Sequence, residues 1–66
     1  MPQQLFTPHE LAAYLEISTR TLIRWRQQRI GPAWVRAGHH VRYRAQDVDE
    51  WLRRQRHEPV LEGAAA

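Results

Sequence analysis

Residues 9–28, HELAAYLEISTRTLIRWRQQ, contain the pattern that decides the fold of this chain. Leu11, Ala12 and Leu15 are apolar residues one, three and four positions apart, which predicts a helix with one buried face. Ile17 is expected to fill a short turn from below, and a second helical stretch follows it. The segment therefore indicates two helices joined by a turn.

Both helices are preceded by capping residues. Thr7-Pro8-His9-Glu10 has the form of a capping box, in which the Thr7 hydroxyl and the Glu10 carboxylate each accept a hydrogen bond from the other residue's backbone N–H. Pro8 suits the first turn, where a missing N–H costs no hydrogen bond. Ser18 is expected to cap the second helix.

The second helix is expected to pack on the first through Leu22 and Trp25, with the small Ala12 where the helices cross closely. Two helices joined steeply by about three residues form a helix-turn-helix, whose second helix enters the major groove of DNA. The alternative is a small helical pair with a buried seam and no role in DNA binding. The placement of the arginines favours the DNA interpretation.

The arginines are concentrated in one part of the chain. Residues 17–44 contain seven arginines and no acidic residue. Residues 1–16 contain no arginine, and residues 45–66 contain three arginines and five acidic residues. A solvated surface normally mixes charges of both signs, and this segment does not. Such a basic face neutralises phosphates and releases their counterions, which is the sequence-independent part of DNA affinity.

Chain length and composition limit the remaining possibilities. The 66 residues suffice for one core, and the absence of cysteine excludes disulfides and the usual zinc-finger ligand sets. Packing must therefore suffice, and the available bulky side chains are the three tryptophans, two tyrosines and Phe6. No apolar run approaches the about 20 residues that span a bilayer, so a soluble, cytoplasmic protein without a membrane partner is expected.

The second helix is expected to end at Arg29-Ile30-Gly31-Pro32, with Gly31 in the left-handed conformation. Residues 33–44 then change to a two-residue period, which predicts a hairpin around Gly38-His39-His40. One set of alternate positions is apolar: Val35, Ala37, Val41 and Tyr43. The other set carries Trp34, Arg36, Arg42 and Arg44.

The loop length decides how these two sets are arranged. A two-residue loop at Gly38-His39 would pair Val35 with Arg42 and mix the faces. A three-residue loop would pair Val35 with Tyr43, giving one apolar and one basic face. We therefore predict the three-residue loop, and we interpret the hairpin as a basic wing.

A third helix is expected from about Ala45 to Arg56. Its inward face would consist of Val48, Trp51, Leu52 and Gln55. Acidic residues in its first turns and arginines in its last suit the helix dipole. The predicted domain spans residues 1–56, and residues 57–66 are expected to form a flexible C-terminal tail. The predicted fold is mainly α with a small β-hairpin: a winged helix-turn-helix in the order helix, helix, wing, helix.

Candidate DNA-binding residues lie on the outward arc of the second helix and on the wing. Arg20 and Arg24 suit guanine or phosphate, Gln27 suits adenine or phosphate, and Ile23 suits a thymine methyl group. Ser18, Thr19 and Thr21 lie in the first turn, where free backbone amides can hold a phosphate. The wing candidates are Arg36, His39, His40, Arg42 and Arg44.

Metal binding, cofactor binding and catalysis are not expected. Neighbouring histidines in a hairpin turn, such as His39 and His40, rarely form a metal site without a suitably placed carboxylate or thiol. Ser18 has a capping role, and so small a core leaves no room for a catalytic cleft. Trp25 and Trp51 suit the core, and Trp34 has no role that the sequence assigns.

An ordered series of motifs resembles the excisionase family, whose winged helix-turn-helix fold is similar to the DNA-binding domain of MerR-type regulators. The motifs are FTPHELAAYL at 6–15, ISTRTL at 17–22, Trp25, Gly31-Pro32, VRYR at 41–44 and DVDEWL at 47–52. The resemblance covers about residues 5–53. Many members of that family have glycine at the position of Glu16, where the backbone often takes a positive φ.

The resemblance implies a small phage or mobile-element protein that binds double-stranded DNA beside an attachment site in a bacterial host. Such a protein bends the DNA, self-associates on adjacent repeats and helps an integrase to excise, acting on the nucleoid without enzymatic activity. The same DNA-binding face would serve a small phage or mobile-element transcriptional regulator, which stays open as the alternative. A winged helix that binds another protein is a more distant possibility.

Overall fold

The computed structural model describes residues 5–59 and has the winged helix-turn-helix architecture that the sequence predicts. The helices are α1 (Pro8–Leu15), α2 (Thr19–Gln28) and α3 (Ala45–Arg54). The strands are β1 (Leu5–Phe6), β2 (Val35–Ala37) and β3 (His40–Arg44). The predicted tail begins within the described part of the chain, but its residues 60–66 lie outside it.

The predicted caps of both helices in the motif are confirmed. The Glu10 amide donates to the Thr7 hydroxyl over 3.0 Å, and the Thr7 amide donates to the Glu10 carboxylate over 2.9 Å. The Ser18 hydroxyl accepts from the amide of Thr21 over 3.1 Å. These bonds satisfy N–H groups that have no partner within the helix.

The turn between α1 and α2 is closed by a residue in the left-handed conformation. Glu16 has φ 59° and ψ 44°, and its amide donates to the carbonyl oxygen of Ala13 over 3.2 Å. The amide of Ile17 donates to the carbonyl oxygen of Ala12 over 2.9 Å. This pair of bonds is a Schellman motif, which usually places glycine at the left-handed position. Glu16 therefore adopts the positive φ common at this position in the resembling family, although it carries a Cβ.

The core lies where α1 and α2 cross and where β3 and α3 cover them. Leu11 and Leu22 are fully buried, and Ala12 beside them is 4% exposed. Tyr43 from β3 and Val48 from α3 complete the buried set. Partly buried side chains surround it: Phe6, Leu15, Ile17, Trp25, Val41 and Leu52. The inward faces predicted for α1 and α2 are thus confirmed.

The C-terminal end of α2 differs from the prediction. The left-handed residue that ends the helix is Arg29, with φ 62°, and the amide of Ile30 donates to the carbonyl oxygen of Trp25 over 2.9 Å. Gly31 also has a positive φ, 87°, but lies two residues farther along. Gly31 allows the chain to pass close to the indole of Trp25, since a Cβ on Gly31 would lie 2.7 Å from Cε3 of that ring.

The sheet contains a strand that the sequence analysis did not predict. The strand order is β1-β3-β2, with antiparallel pairing throughout. β1 pairs Leu5 with Arg44 and Phe6 with Tyr43. Two residues directly before a capping box are too short a segment to show an alternating pattern.

The predicted register of the wing is wrong. The structure pairs Val35 with Arg42, Arg36 with Val41 and Ala37 with His40, which leaves a two-residue loop at Gly38-His39. Gly38 has φ 67°, and His39 is not among the residues with positive φ. A positive φ at the first central residue alone is the type II′ pattern, whose twist matches that of a hairpin. Turn geometry therefore outweighs the separation of apolar and basic side chains.

The register changes which side chains share a face of the wing. Val41 and Tyr43 face the core as predicted, and His40, Arg42 and Arg44 occupy the opposite face of β3. Residues that pair directly across two antiparallel strands lie on the same face of the sheet. On β2, Arg36 therefore shares the inner face with Val41, and Val35 shares the outer face with Arg42. The wing thus has a basic outer face on β3 but not the uniform faces that the longer loop would produce.

The third helix is two residues shorter than predicted. α3 ends at Arg54, so Gln55 and Arg56 lie beyond it, and the Gln55 side chain is exposed instead of facing inward. Arg44 occupies the N-cap position without a side-chain capping bond. The rings of Trp51 and Trp25 lie 5.4 Å apart between centroids, which packs α3 against α2.

Glu16→Gly is expected to stabilise the protein. A left-handed residue with a Cβ costs about 1–2 kcal/mol, and glycine returns part of this as unfolded-state entropy, so the net gain is about 0.5–1 kcal/mol. Chemical denaturation of the variant and of Glu16→Ala, which keeps the Cβ, measures the effect. Equal stability of the alanine and glycine variants would contradict strain at this position.

Gly31→Ala is expected to lower the free energy of unfolding by about 2–4 kcal/mol, because backbone strain adds to a clash with Trp25. Gly38→Ala is the matched control, since Gly38 also has a positive φ but no atom lies within 4 Å of its added Cβ. The control should cost about 1–2 kcal/mol. Thermal denaturation of both variants tests the difference, and equal losses would show that the contact with Trp25 does not matter.

Candidate nucleic-acid interface

The outward face of α2 presents a compact set of exposed side chains. Arg20, Arg24 and Gln27 are four and three residues apart, so they lie along one side of the helix. All three are exposed, and Ile23 between them is 45% exposed. This face is opposite to Leu22 and Trp25, which pack toward the core. The structure thus brings together the four central residues of the predicted reading face.

The first turn of α2 uses part of its hydrogen-bonding capacity internally. The Ser18 hydroxyl lies 3.0 Å from the Thr21 hydroxyl as well as accepting from the Thr21 amide. Thr19 is half-buried beside them. Ser18 and Thr21 therefore hold the helix end in shape, while the positive end of the helix dipole lies at the edge of the exposed face.

The charges of α2 and α3 are arranged differently. Among residues 5–59, no carboxylate lies within ion-pair distance of Arg20 or Arg24. On α3, Arg53 lies 2.8 Å from Asp49 and Arg54 lies 3.5 Å from Glu50. The exposed surface of α3 is therefore internally compensated, whereas the guanidinium groups of α2 are left to attract an external anion.

The wing presents its basic side chains near the two-residue loop. His39 and His40 are exposed at the turn. Arg42 is half-buried, and its Nη1 donates to the carbonyl oxygen of Val41 over 2.8 Å. That bond leaves the other guanidinium nitrogens of Arg42 able to donate to a phosphate.

Two further predicted wing residues contact other side chains within the chain. The Nε of Arg44 lies 3.2 Å from the Asp47 carboxylate in the first turn of α3. Arg36 lies over the indole of Trp34, with its Cζ 5.6 Å from the ring centroid. Their charge still contributes to the local potential, but their geometry is set by contacts within the protein.

Sequence reasoning missed the role of Arg26. Its Nη1 donates to the Tyr43 hydroxyl over 3.2 Å, and its Cζ lies 5.9 Å from the centroid of Trp34. Arg26 lies on the flank of α2, between its buried and exposed arcs, where a helical pattern alone does not assign a partner. The correct register would have placed Arg36 on the same face as Tyr43 and suggested the cluster.

An open groove of about 390 Å³ lies between the C-terminal end of α2 and Trp34. Arginine, glycine and apolar residues line it, without serine, histidine or carboxylate. Elsewhere among residues 5–59, no three histidine, cysteine or acidic side chains lie together where they could hold a metal ion. No helix in that part of the chain has the length and apolar character required to cross a membrane.

Comparison with known families agrees with this geometry. A helix-turn-helix domain model matches residues 5–56, a range that includes both motif helices, the wing and α3. This family includes excisionase-like DNA-binding proteins, and its members are typically not enzymes. No curated protein matches the chain at a significant level. Since the family match spans most of the 66 residues, the chain belongs to the helix-turn-helix domain family.

Proposed function

We propose that this protein is a sequence-specific, DNA-bending accessory factor of site-specific recombination. It binds near the attachment site of a phage or mobile element in the cytoplasm of a bacterial host and directs an integrase toward excision. The observation that carries the proposal is the exposed face of α2, whose arginines have no ion-pair partner among the described residues, beside a basic wing. The motifs that resemble excisionases extend over most of the chain.

In this proposal α2 enters the major groove. Arg20 and Arg24 donate paired hydrogen bonds to guanine or phosphate, and Gln27 contacts adenine. Ile23 is exposed at the centre of this face, where a thymine methyl group gives it an apolar partner. The wing residues His39, His40 and Arg42 hold the neighbouring backbone or minor groove.

A single domain of this size contacts too short a site for specificity in a genome. Several copies on adjacent repeats supply both the specificity and the bend that a recombinase needs. The exposed surface of α3 is separate from the exposed face of α2, and it carries Asp49 and Glu50. We assign the contact with the integrase to this surface.

Arg24→Ala is expected to weaken binding to the cognate site by about 1–3 kcal/mol and to relax preference at one or two base pairs. Arg53→Ala removes the same charge from α3, where Asp49 compensates it, and is the matched control. Fluorescence anisotropy on cognate and random duplexes measures both. Equal losses on the two duplexes for Arg24→Ala would show that α2 does not read the sequence.

Gel shifts and bending assays on DNA with one, two and three repeats test the function itself. We expect a monomer in solution, stepwise cooperative loading, a bend that grows with each copy, and stimulation of integrase-driven excision on the element's own attachment region. Sedimentation of the free protein establishes the starting state. A stable dimer, or DNA binding without a bend and without an effect on excision, would favour the transcriptional regulator instead.

A further inference from the structure

The arginine on the flank of α2 joins the helix to the wing. Arg26 is half-buried, and its guanidinium donates to the hydroxyl of Tyr43, which is itself 1% exposed. Tyr43 lies on β3 and belongs to the core. The bond therefore links the candidate reading helix to the central strand of the sheet.

The indole of Trp34 lies between this arginine and the first strand of the wing. The guanidinium carbon of Arg26 lies 5.9 Å from the ring centroid, and that of Arg36 lies 5.6 Å from it. Both distances are within the range of a cation–π contact. Trp34 directly precedes β2, and Arg36 is the middle residue of that strand. Trp34 as a whole is 37% exposed, so it is accessible to solvent while it contacts the two guanidinium groups.

These contacts connect α2 with both strands of the wing. One connection runs from Arg26 through Trp34 to Arg36 on β2, and the other runs from Arg26 to Tyr43 on β3. A two-residue loop makes the hairpin a short rigid unit, so holding its base also sets the position of its tip. Binding groups that must meet DNA together gain affinity when their relative position is fixed beforehand.

We propose that Trp34 is a positioning residue that fixes the wing relative to α2. Arg26 and Arg36 hold the indole, and the three residues act on DNA affinity through the orientation of the wing. The inference rests on the proposed function, since it takes the wing as a DNA contact. It assigns a role to the one aromatic residue that the sequence left without one.

A double-mutant cycle between Trp34→Leu and Arg42→Ala tests the proposal. Trp34→Leu should weaken binding to the cognate duplex by about three- to thirtyfold, which lies within the range of coupling between residues that share a network. The effect of Arg42→Ala should shrink in the Trp34→Leu background, because a displaced wing no longer places Arg42 on the DNA. An unchanged affinity of Trp34→Leu, or an equal effect of Arg42→Ala in both backgrounds, would overturn it.

Hydroxyl-radical footprints separate positioning from a loss of folding or a direct contact. The Trp34→Leu complex should keep the protection assigned to α2 and lose that of the wing. A uniform loss of protection would indicate destabilisation, and loss confined to one nucleotide, with additive effects in the cycle, would indicate direct contact of Trp34 with DNA. Either result would overturn the proposal.

Three further variants complete the test. Trp34→Phe keeps an aromatic face for the guanidinium groups and should restore most of the affinity. Ile30→Ala removes an exposed apolar side chain from the same connecting segment and should leave affinity unchanged. If Trp34→Leu does not fold, Arg26→Gln replaces it in the cycle with the same expectation. If Arg42→Ala has no effect on affinity in the otherwise unchanged chain, the wing is not a DNA contact and that part of the proposed function is wrong. If Arg42→Ala weakens binding equally with and without Trp34, only the positioning role of Trp34 is wrong.

Discussion

The close crossing of α1 and α2 is the contact on which the other parts of the molecule depend. Leu11 and Leu22 are fully buried there, and Ala12 is small enough for the two backbones to approach. The crossing requires an abrupt change of direction, which the left-handed Glu16 and the bonds to the carbonyl oxygens of Ala12 and Ala13 provide. Because one side of α2 is committed to this contact, the opposite side is necessarily presented to solvent. The exposed row of Arg20, Ile23, Arg24 and Gln27 is thus a geometric consequence of core packing.

Among residues 5–59 the hydrophobic core contains five buried side chains, which leaves the small domain little reserve, and other contacts supplement it. Among residues 5–59, Tyr43 is the largest of the fully buried side chains, and its hydroxyl accepts a hydrogen bond from Arg26. The paired rings of Trp25 and Trp51 extend the apolar contact toward the C-terminal ends of α2 and α3. Stability and the arrangement of the candidate DNA-binding elements therefore depend on some of the same side chains.

The sequence predicted those features that are local. Capping of α1 and α2 needs residues at most three positions apart, and the inward faces follow from helical periodicity, so both were found. The predicted hairpin register was wrong because it was chosen to separate apolar from basic side chains. The positive φ of Gly38 instead favours a two-residue loop, which mixes them. β1 was missed because its two residues form a strand only by pairing with β3, which is distant in the chain. The contacts of Arg26 with Tyr43 and Trp34 likewise depend on the tertiary arrangement. The ion pair of Arg44 with Asp47 is local, three residues apart, and helical periodicity does not indicate it because Arg44 precedes the helix. The helix-turn-helix family is confirmed, and the excisionase role stays a proposal.

The strand order bears on whether copies of this protein can pair through their sheets. Among residues 5–59, β3 is the longest and most cationic strand and lies in the middle of the sheet, where His40, Val41 and Arg42 pair with β2 and Tyr43 and Arg44 pair with β1. In the described part of the chain the outer strands are two and three residues long. Short edges, with Arg36 on one of them, are poor templates for adding a foreign strand. Crowding many copies onto one stretch of duplex would then carry little risk of sheet-mediated aggregation.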